Sequence, residues 1–141
     1  MSGLIGELQQ YYEEYLAADP AMLGHFYQDD VVFRDPLHQI EGLGALQRYF
    51  AAMREDLLEC RFEFSPGVIG DTSACLPWDM HYAHRRLNGG ALLTLRGCSL
   101  LQFGQRIRYH EDFYDLGAMV YERIPVVGAL VRGIKNRLTG E

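Results

Sequence analysis

The sequence predicts an α+β fold, with helices segregated from one antiparallel sheet. Three observations lead there. Apolar residues recur at helical spacing near the N-terminus and again around residue 50. From Cys60 onward the apolar period changes to two. A helical stripe then returns after Pro125.

The elements follow in order. Leu4, Leu8, Tyr11 and Tyr15 fall on one helical face, with Ile5, Tyr12 and Leu16 beside them. Asp19-Pro20 restarts the chain, Asp as the N-cap and Pro at the first helical position, and a short helix runs to about Tyr27. Asp29-Asp30 should break it, and Val31-Val32-Phe33 reads as a strand that ends at Asp35-Pro36. His38-Gln39-Ile40 returns beside it. Gly42 opens a third helix, whose buried stripe is Leu46, Tyr49, Phe50, Met53 and Leu57.

Arg61 to Phe64 is the next strand, punctuated by Pro66-Gly67 and Gly70-Asp71. In the strand from about Ala74 to Arg85, Leu76, Trp78, Met80, Tyr82 and His84 share one face. Asn88-Gly89 signals a hairpin turn. Ala91 to Phe103 is a long strand with apolar residues on both faces, and Arg106 to Asp115 returns after Gly104-Gln105. These last strands form an antiparallel meander. Pro125 opens a tail helix with Val127, Leu130, Val131, Ile134 and Leu138 on one stripe and Arg132, Lys135 and Arg137 near its end.

Composition bounds the function. At 141 residues the chain is one domain, long enough to bury a core without a disulfide or metal staple. Thirteen basic against nineteen acidic residues give a net charge of −6, which argues against nucleic acid as a partner. The three cysteines, Cys60, Cys75 and Cys98, are widely spaced, so neither a disulfide framework nor a structural zinc site is expected. No spacing among His38, His81 and His84 groups three metal ligands, and no phosphate loop or nucleotide motif is present, so no cofactor and no metal are expected. The N-terminus lacks the basic region of a signal peptide, and the longest apolar run, Ile124 to Val131, is too short to span a bilayer. A cytoplasmic protein without membrane contact is the expectation.

Phe26-Tyr-Gln-Asp-Asp-Val-Val-Phe-Arg-Asp-Pro, followed by Ile40-Glu-Gly and Leu46-Gln-Arg-Tyr-Phe, resembles the nuclear transport factor 2-like superfamily in its SnoaL-like and ketosteroid-isomerase branch. Ser99-Leu-Leu-Gln-Phe and Arg106-Ile-Arg-Tyr-His-Glu-Asp-Phe-Tyr-Asp are similar to that family's last two strands. The resemblance covers roughly residues 4–116 and leaves 117–141 as a helical extension of a single domain. It implies a cone: a strongly curved sheet closed by helices around a deep, mostly apolar pocket. Trp78, Met80, Tyr82, Ser99, Tyr114 and Phe50 would then line a ligand site.

The same resemblance places Asp35 at the general base of ketosteroid isomerases. Read from the residues alone, Asp-Pro is equally a turn in which Asp caps its own backbone. Tyr11 falls where the isomerase has its oxyanion-hole tyrosine, and is otherwise plain helix core. The partner of that tyrosine is a protonated Asp in the isomerase, but here the position falls on Ser99, so half of that hole is missing. His110 and Asp112, two apart on one strand face, are similar to the His and Asp pairs of dehydratases and cyclases on this fold. By parity alone they share a face with Arg106 and Arg108, while Ile107, Tyr109 and Phe113 look the more buried. These residues point to cofactor-free proton transfer on a small apolar carbonyl compound: isomerisation, dehydration or aldol-type cyclisation. The alternative is a binding or accessory protein that uses the same cavity without chemistry. A homodimer is expected, since the Leu92, Cys98 and Leu100 side of the long strand needs cover.

Overall fold

A computed structural model describes residues 2–119 and 125–140. Helix α1 (Ser2–Glu13) leads through a short 3-10 helix, Pro20–His25, into strand β1 (Tyr27–Arg34). Then come β2 (Gln39–Glu41), α2 (Leu43–Asp56), β3 (Leu57–Phe64), β4 (Val68–Ile69), β5 (Ser73–His84), β6 (Leu93–Phe103) and β7 (Ile107–Tyr114). A short α3 (Leu116–Met119) and α4 (Pro125–Thr139) close the chain. The sheet order is β2-β1-β7-β6-β5-β3, with β4 pairing β5 at the side. All pairs are antiparallel except β1 with β7, which is parallel. The sheet is curved and unclosed, and with helices at both ends it makes the cone the family resemblance implies.

Local chemistry explains most boundaries. Asp19 caps the 3-10 helix, its carboxyl accepting from the Ala21 N–H at 2.9 Å, with Pro20 first in the turn. Gly42 precedes α2 at φ +94°, a left-handed conformation that a residue with a Cβ adopts only under strain. Ile5, Leu8, Tyr12 and Tyr15 from the first helical segment, with Leu46 and Phe50 of α2, cover the concave face of the sheet. There they meet Phe33, Leu76, Trp78 and Leu101, and the core is continuous from helix to sheet.

Three local readings need correction, and the tail helix leaves part of its stripe open. Asp29-Asp30 do not interrupt the chain: they are the exposed bulge of β1, where its register against β7 shifts between Tyr27 and Val32. Leu57 opens β3 instead of extending α2, because it pairs with His84. The β5–β6 connection is wider than a two-residue hairpin, with Asn88, Gly89 and Gly90 all at positive φ and β6 starting at Leu93. On α4, Leu130, Ile134 and Leu138 are exposed (64% for Leu130), so this part of the tail stripe is not packed on its own domain. The side chains of Val127 and Val131 lie outside the described residues.

Candidate functional site

The concave face of the sheet and helix α2 enclose a cavity of about 430 Å³. Its wall is mainly aromatic: nine of the lining residues are Phe, Tyr or Trp. Trp78 dominates one side. Its indole lies across β6 at Gly97, where an added Cβ would sit 2.3 Å from the ring. The indole N–H donates to Ser99 Oγ at 2.8 Å. The only side chain that lets this ring reach the strand is hydrogen, which is why Gly97 sits opposite Trp78 in the β5–β6 register.

Ser99 passes the contact on, its hydroxyl donating to Asp112 Oδ1 at 2.5 Å. The same oxygen meets His110 Nε2 at 2.6 Å. His110 is 1% exposed, and its Nδ1 lies 2.8 Å from the Tyr27 hydroxyl, which in turn lies 2.9 Å from the Tyr12 hydroxyl. In one arrangement every donor has an acceptor. Tyr12 donates to Tyr27, Tyr27 donates to Nδ1, and the Nε2 proton donates to Asp112. A neutral imidazole therefore satisfies the chain. Burial raises the phenols of Tyr12 and Tyr27 well above their ordinary range, so both remain protonated donors. Both bonds to Asp112 fall on Oδ1, and the described residues make no hydrogen bond to Oδ2. Asp112 lines the cavity; His110 and Ser99 stand behind it.

Asp35 lines the cavity from the turn between β1 and β2. Its Oδ1 accepts from the backbone N–H groups of Leu37 and His38, at 2.8 and 2.7 Å, with His38 Nδ1 at 3.3 Å. Its Oδ2 accepts from the Tyr49 hydroxyl at 2.8 Å. Both oxygens are thus engaged, and the Asp-Pro turn is built as its local chemistry predicts. Burial, followed by the nearby Asp35 carboxylate, pushes the Tyr49 phenol up.

Trp78, Met80, Tyr82, Tyr114 and Phe50 all lie on the wall, in the company of Asp35 and Asp112. Three expected residues do not: His110 stands behind Asp112, and Tyr11 and Ser99 are engaged elsewhere. Tyr11 turns away: its ring meets Phe26 edge-on at 5.6 Å, and its hydroxyl donates to the Asp19 carbonyl at 3.3 Å. Its neighbour Tyr12, about 100° further round the helix, takes the inward place. Ser99 is covered by the Trp78 indole and serves Asp112 instead of the cavity.

A scan against protein families matches the SnoaL-like domain over residues 8–110, which is most of the chain. The chain belongs to the SnoaL-like domain family. Solved structures agree on the fold. An NTF2-like protein of unknown function from Burkholderia pseudomallei superposes with a TM-score of 0.71 at 16% identity, covering 85% of this chain and 96% of that one. A protein assigned as a SnoaL-like polyketide cyclase from Shewanella putrefaciens gives 0.70 at 17% identity, over 84% and 91%. A ketosteroid isomerase-like fold from Catenulispora acidiphila, in complex with trimethylamine, gives 0.69 at 13%, over 80% and 87%. Among curated proteins no match was found. No helix of the described residues is long and apolar enough to cross a membrane.

In this SnoaL-like domain, sequence reasoning missed the phenols. Tyr12, Tyr27 and Tyr49 carry the hydrogen-bond chains to both carboxyl groups, yet Tyr12 and Tyr49 read as helix stripe and Tyr27 as the end of a short helix. Their only signal was density: nine tyrosines in 141 residues, five of them before residue 50. The parity conflict on β7 has a physical cause. Phe103 pairs with Ile107 but Gln102 pairs with Tyr109, so Arg108 is an extra, exposed residue. That bulge lets Ile107 and His110 both face inward.

Proposed function

We propose that this SnoaL-like domain is a cofactor-free enzyme that moves a proton within a small apolar carbonyl compound. One observation carries the reading: Asp112 reaches the wall of an apolar cavity with one oxygen held by Ser99 and His110 and the other left open. In the proposed step Oδ2 removes a proton from the carbon beside the carbonyl. The electron pair of that C–H bond moves to the carbonyl oxygen as an enolate. Return of the proton to another carbon gives isomerisation; loss of a β-hydroxyl as water gives dehydration; attack of the enolate carbon on a second carbonyl gives cyclisation. The His110 imidazole, backed by Tyr27 and Tyr12, keeps Asp112 oriented through its Nε2–H as the proton comes and goes. Tyr15 lines the same cavity and its buried hydroxyl has no partner among the described residues, so it is the free donor for the enolate oxygen. Asp35 is the second carboxylate of the site.

The binding-protein reading keeps one supporting observation: the position of the isomerase's second acid is Ser99, engaged by Trp78 and Asp112. The trimethylamine bound by the Catenulispora acidiphila neighbour supports small-molecule occupancy of this fold under either reading. Deuterium exchange separates them. Small cyclic ketones that shift the melting temperature are incubated with the protein in heavy water and followed by NMR. The enzyme reading predicts catalysed washout of their α-protons; binding with no washout supports the receptor.

We propose in addition that a second copy covers the convex face of the sheet. Phe113 and Val68 are exposed there and Leu100 is only half-buried, beside Cys75 and Cys98. Light scattering at micromolar concentration should give twice the chain mass; a monomer would reject the dimer.

A further inference from the structure

The charge balance of the cavity is one-sided. Carboxyl groups line it at Asp35, Asp56 and Asp112, and no Lys or Arg among the described residues does. Asp56 is met by Arg85, with Nε 3.5 Å from Oδ1. Asp35 and Asp112 have only hydroxyl, backbone N–H and imidazole donors, although their side chains are 5% and 17% exposed. Carboxylates withdrawn from water are costly unless a cation compensates them. The walls between them are aromatic, and ring faces attract cations, most strongly where water is excluded. Tyr114 feels both acids: burial raises its phenol first, and the Asp35 and Asp112 carboxylates raise it further. The negative field therefore spans the cavity from the turn to β7. An anionic ligand would find no described Lys or Arg to meet it, and of the two imidazoles on the wall His38 turns its Nδ1 to Asp35 while His84 Nδ1 meets the Arg86 N–H.

We propose that the cavity takes an organic cation: a small apolar molecule bearing a tertiary or quaternary ammonium group, seated among the aromatic rings between Asp35 and Asp112. A volume of about 430 Å³ suits a molecule of that size. The inference rests on the reading above that this cavity is the ligand site, and adds the charge of what enters it. In the enzymatic case the substrate is an amino-ketone whose ammonium group is held by one carboxylate while the other handles the proton.

Trp78 is the single tryptophan of the chain and lines the cavity, so its emission reports occupancy directly. Choline, its neutral carbon isostere 3,3-dimethylbutan-1-ol, and the anion 3,3-dimethylbutanoate are titrated into the full chain, with calorimetry alongside. Choline should bind at least about tenfold more tightly than the isostere, and the anion most weakly. Choline affinity should fall with added salt while that of the isostere holds, a readout that needs no variant. Asp35→Asn and Asp112→Asn should each weaken choline about tenfold and leave the isostere within about twofold. An isostere that quenches Trp78 and binds as tightly as choline would overturn the cation inference while keeping the cavity as the ligand site. Tightest binding of the anion would overturn it likewise. If choline, isostere and ketones all leave Trp78 unchanged at millimolar concentration, the cavity reading fails and the inference fails with it.

Discussion

Asp35 and Asp112 are the same residue type on the wall of one cavity, and the chain uses them differently. Asp35 is fixed by its own neighbourhood: two of its partners are backbone N–H groups two and three residues away. Asp112 is fixed from a distance, by Ser99 on the adjacent strand and by His110, whose further partners Tyr27 and Tyr12 come from the first 27 residues. Asp35 has one oxygen held by the turn and the other by the Tyr49 hydroxyl of α2, so neither is left open. A carboxylate with a single oxygen saturated is oriented and still open. Local hydrogen bonds make a shape, whereas a chain of partners distant in sequence makes a site.

Stability should divide along the same line. His110→Leu strands Tyr27 and the Ser99–Asp112 pair in a buried setting, and should cost about 2–4 kcal/mol in urea unfolding. Asp35→Ala removes turn bonds that water can partly replace, and should cost about 1–2 kcal/mol. Equal losses would erase the distinction between a local and a distributed site.

The phenols sharpen it by pH. Burial raises Tyr11 to about 12, and raises Tyr12, Tyr15 and Tyr27 well above their ordinary range. The unfolded chain ionises its phenols near 10. The stability tied to these protons is therefore fully present below pH 10 and is lost as pH rises toward 12 and above. Melting temperatures from about pH 8 to about pH 12 should be flat and then fall. Tyrosinate absorbance should appear together with unfolding. Absorbance that rises on a folded protein would mean that the buried chain is open to solvent.

The smallest effect belongs to the tail. Leu130 is exposed on the single chain, so Leu130→Asp should leave the melting temperature within about one degree in a monomer. A clear drop that depends on protein concentration would place this stripe on a partner subunit.

Much of the fold was legible because its signals are local. Asp19-Pro20, the alternating face of β5 and the punctuation at Gly42 each specify a conformation within a few residues. The parallel pairing of β1 with β7 was not, since nothing near Val31 records a partner near Tyr109. Parity on β7 was misread because one bulged residue, Arg108, inverts everything after it. In the site, Asp35, Asp112 and the aromatic wall could be named from the family resemblance. Which tyrosine turned inward could not. Tyr11 and Tyr12 are adjacent on one broad apolar stripe, and the choice is made by Tyr27 and His110, 15 and 98 residues away along the chain from Tyr12.

The most direct test compares Asp112→Asn with Asp35→Asn in the heavy-water exchange assay, on a ketone that both variants still bind. Asn keeps the shape of each side chain but accepts no proton. The account predicts that Asp112→Asn slows α-proton washout by about 10²–10⁴-fold, while Asp35→Asn slows it less than about tenfold. A full rate in Asp112→Asn with the loss in Asp35→Asn would contradict it, and would put the base in the turn between β1 and β2.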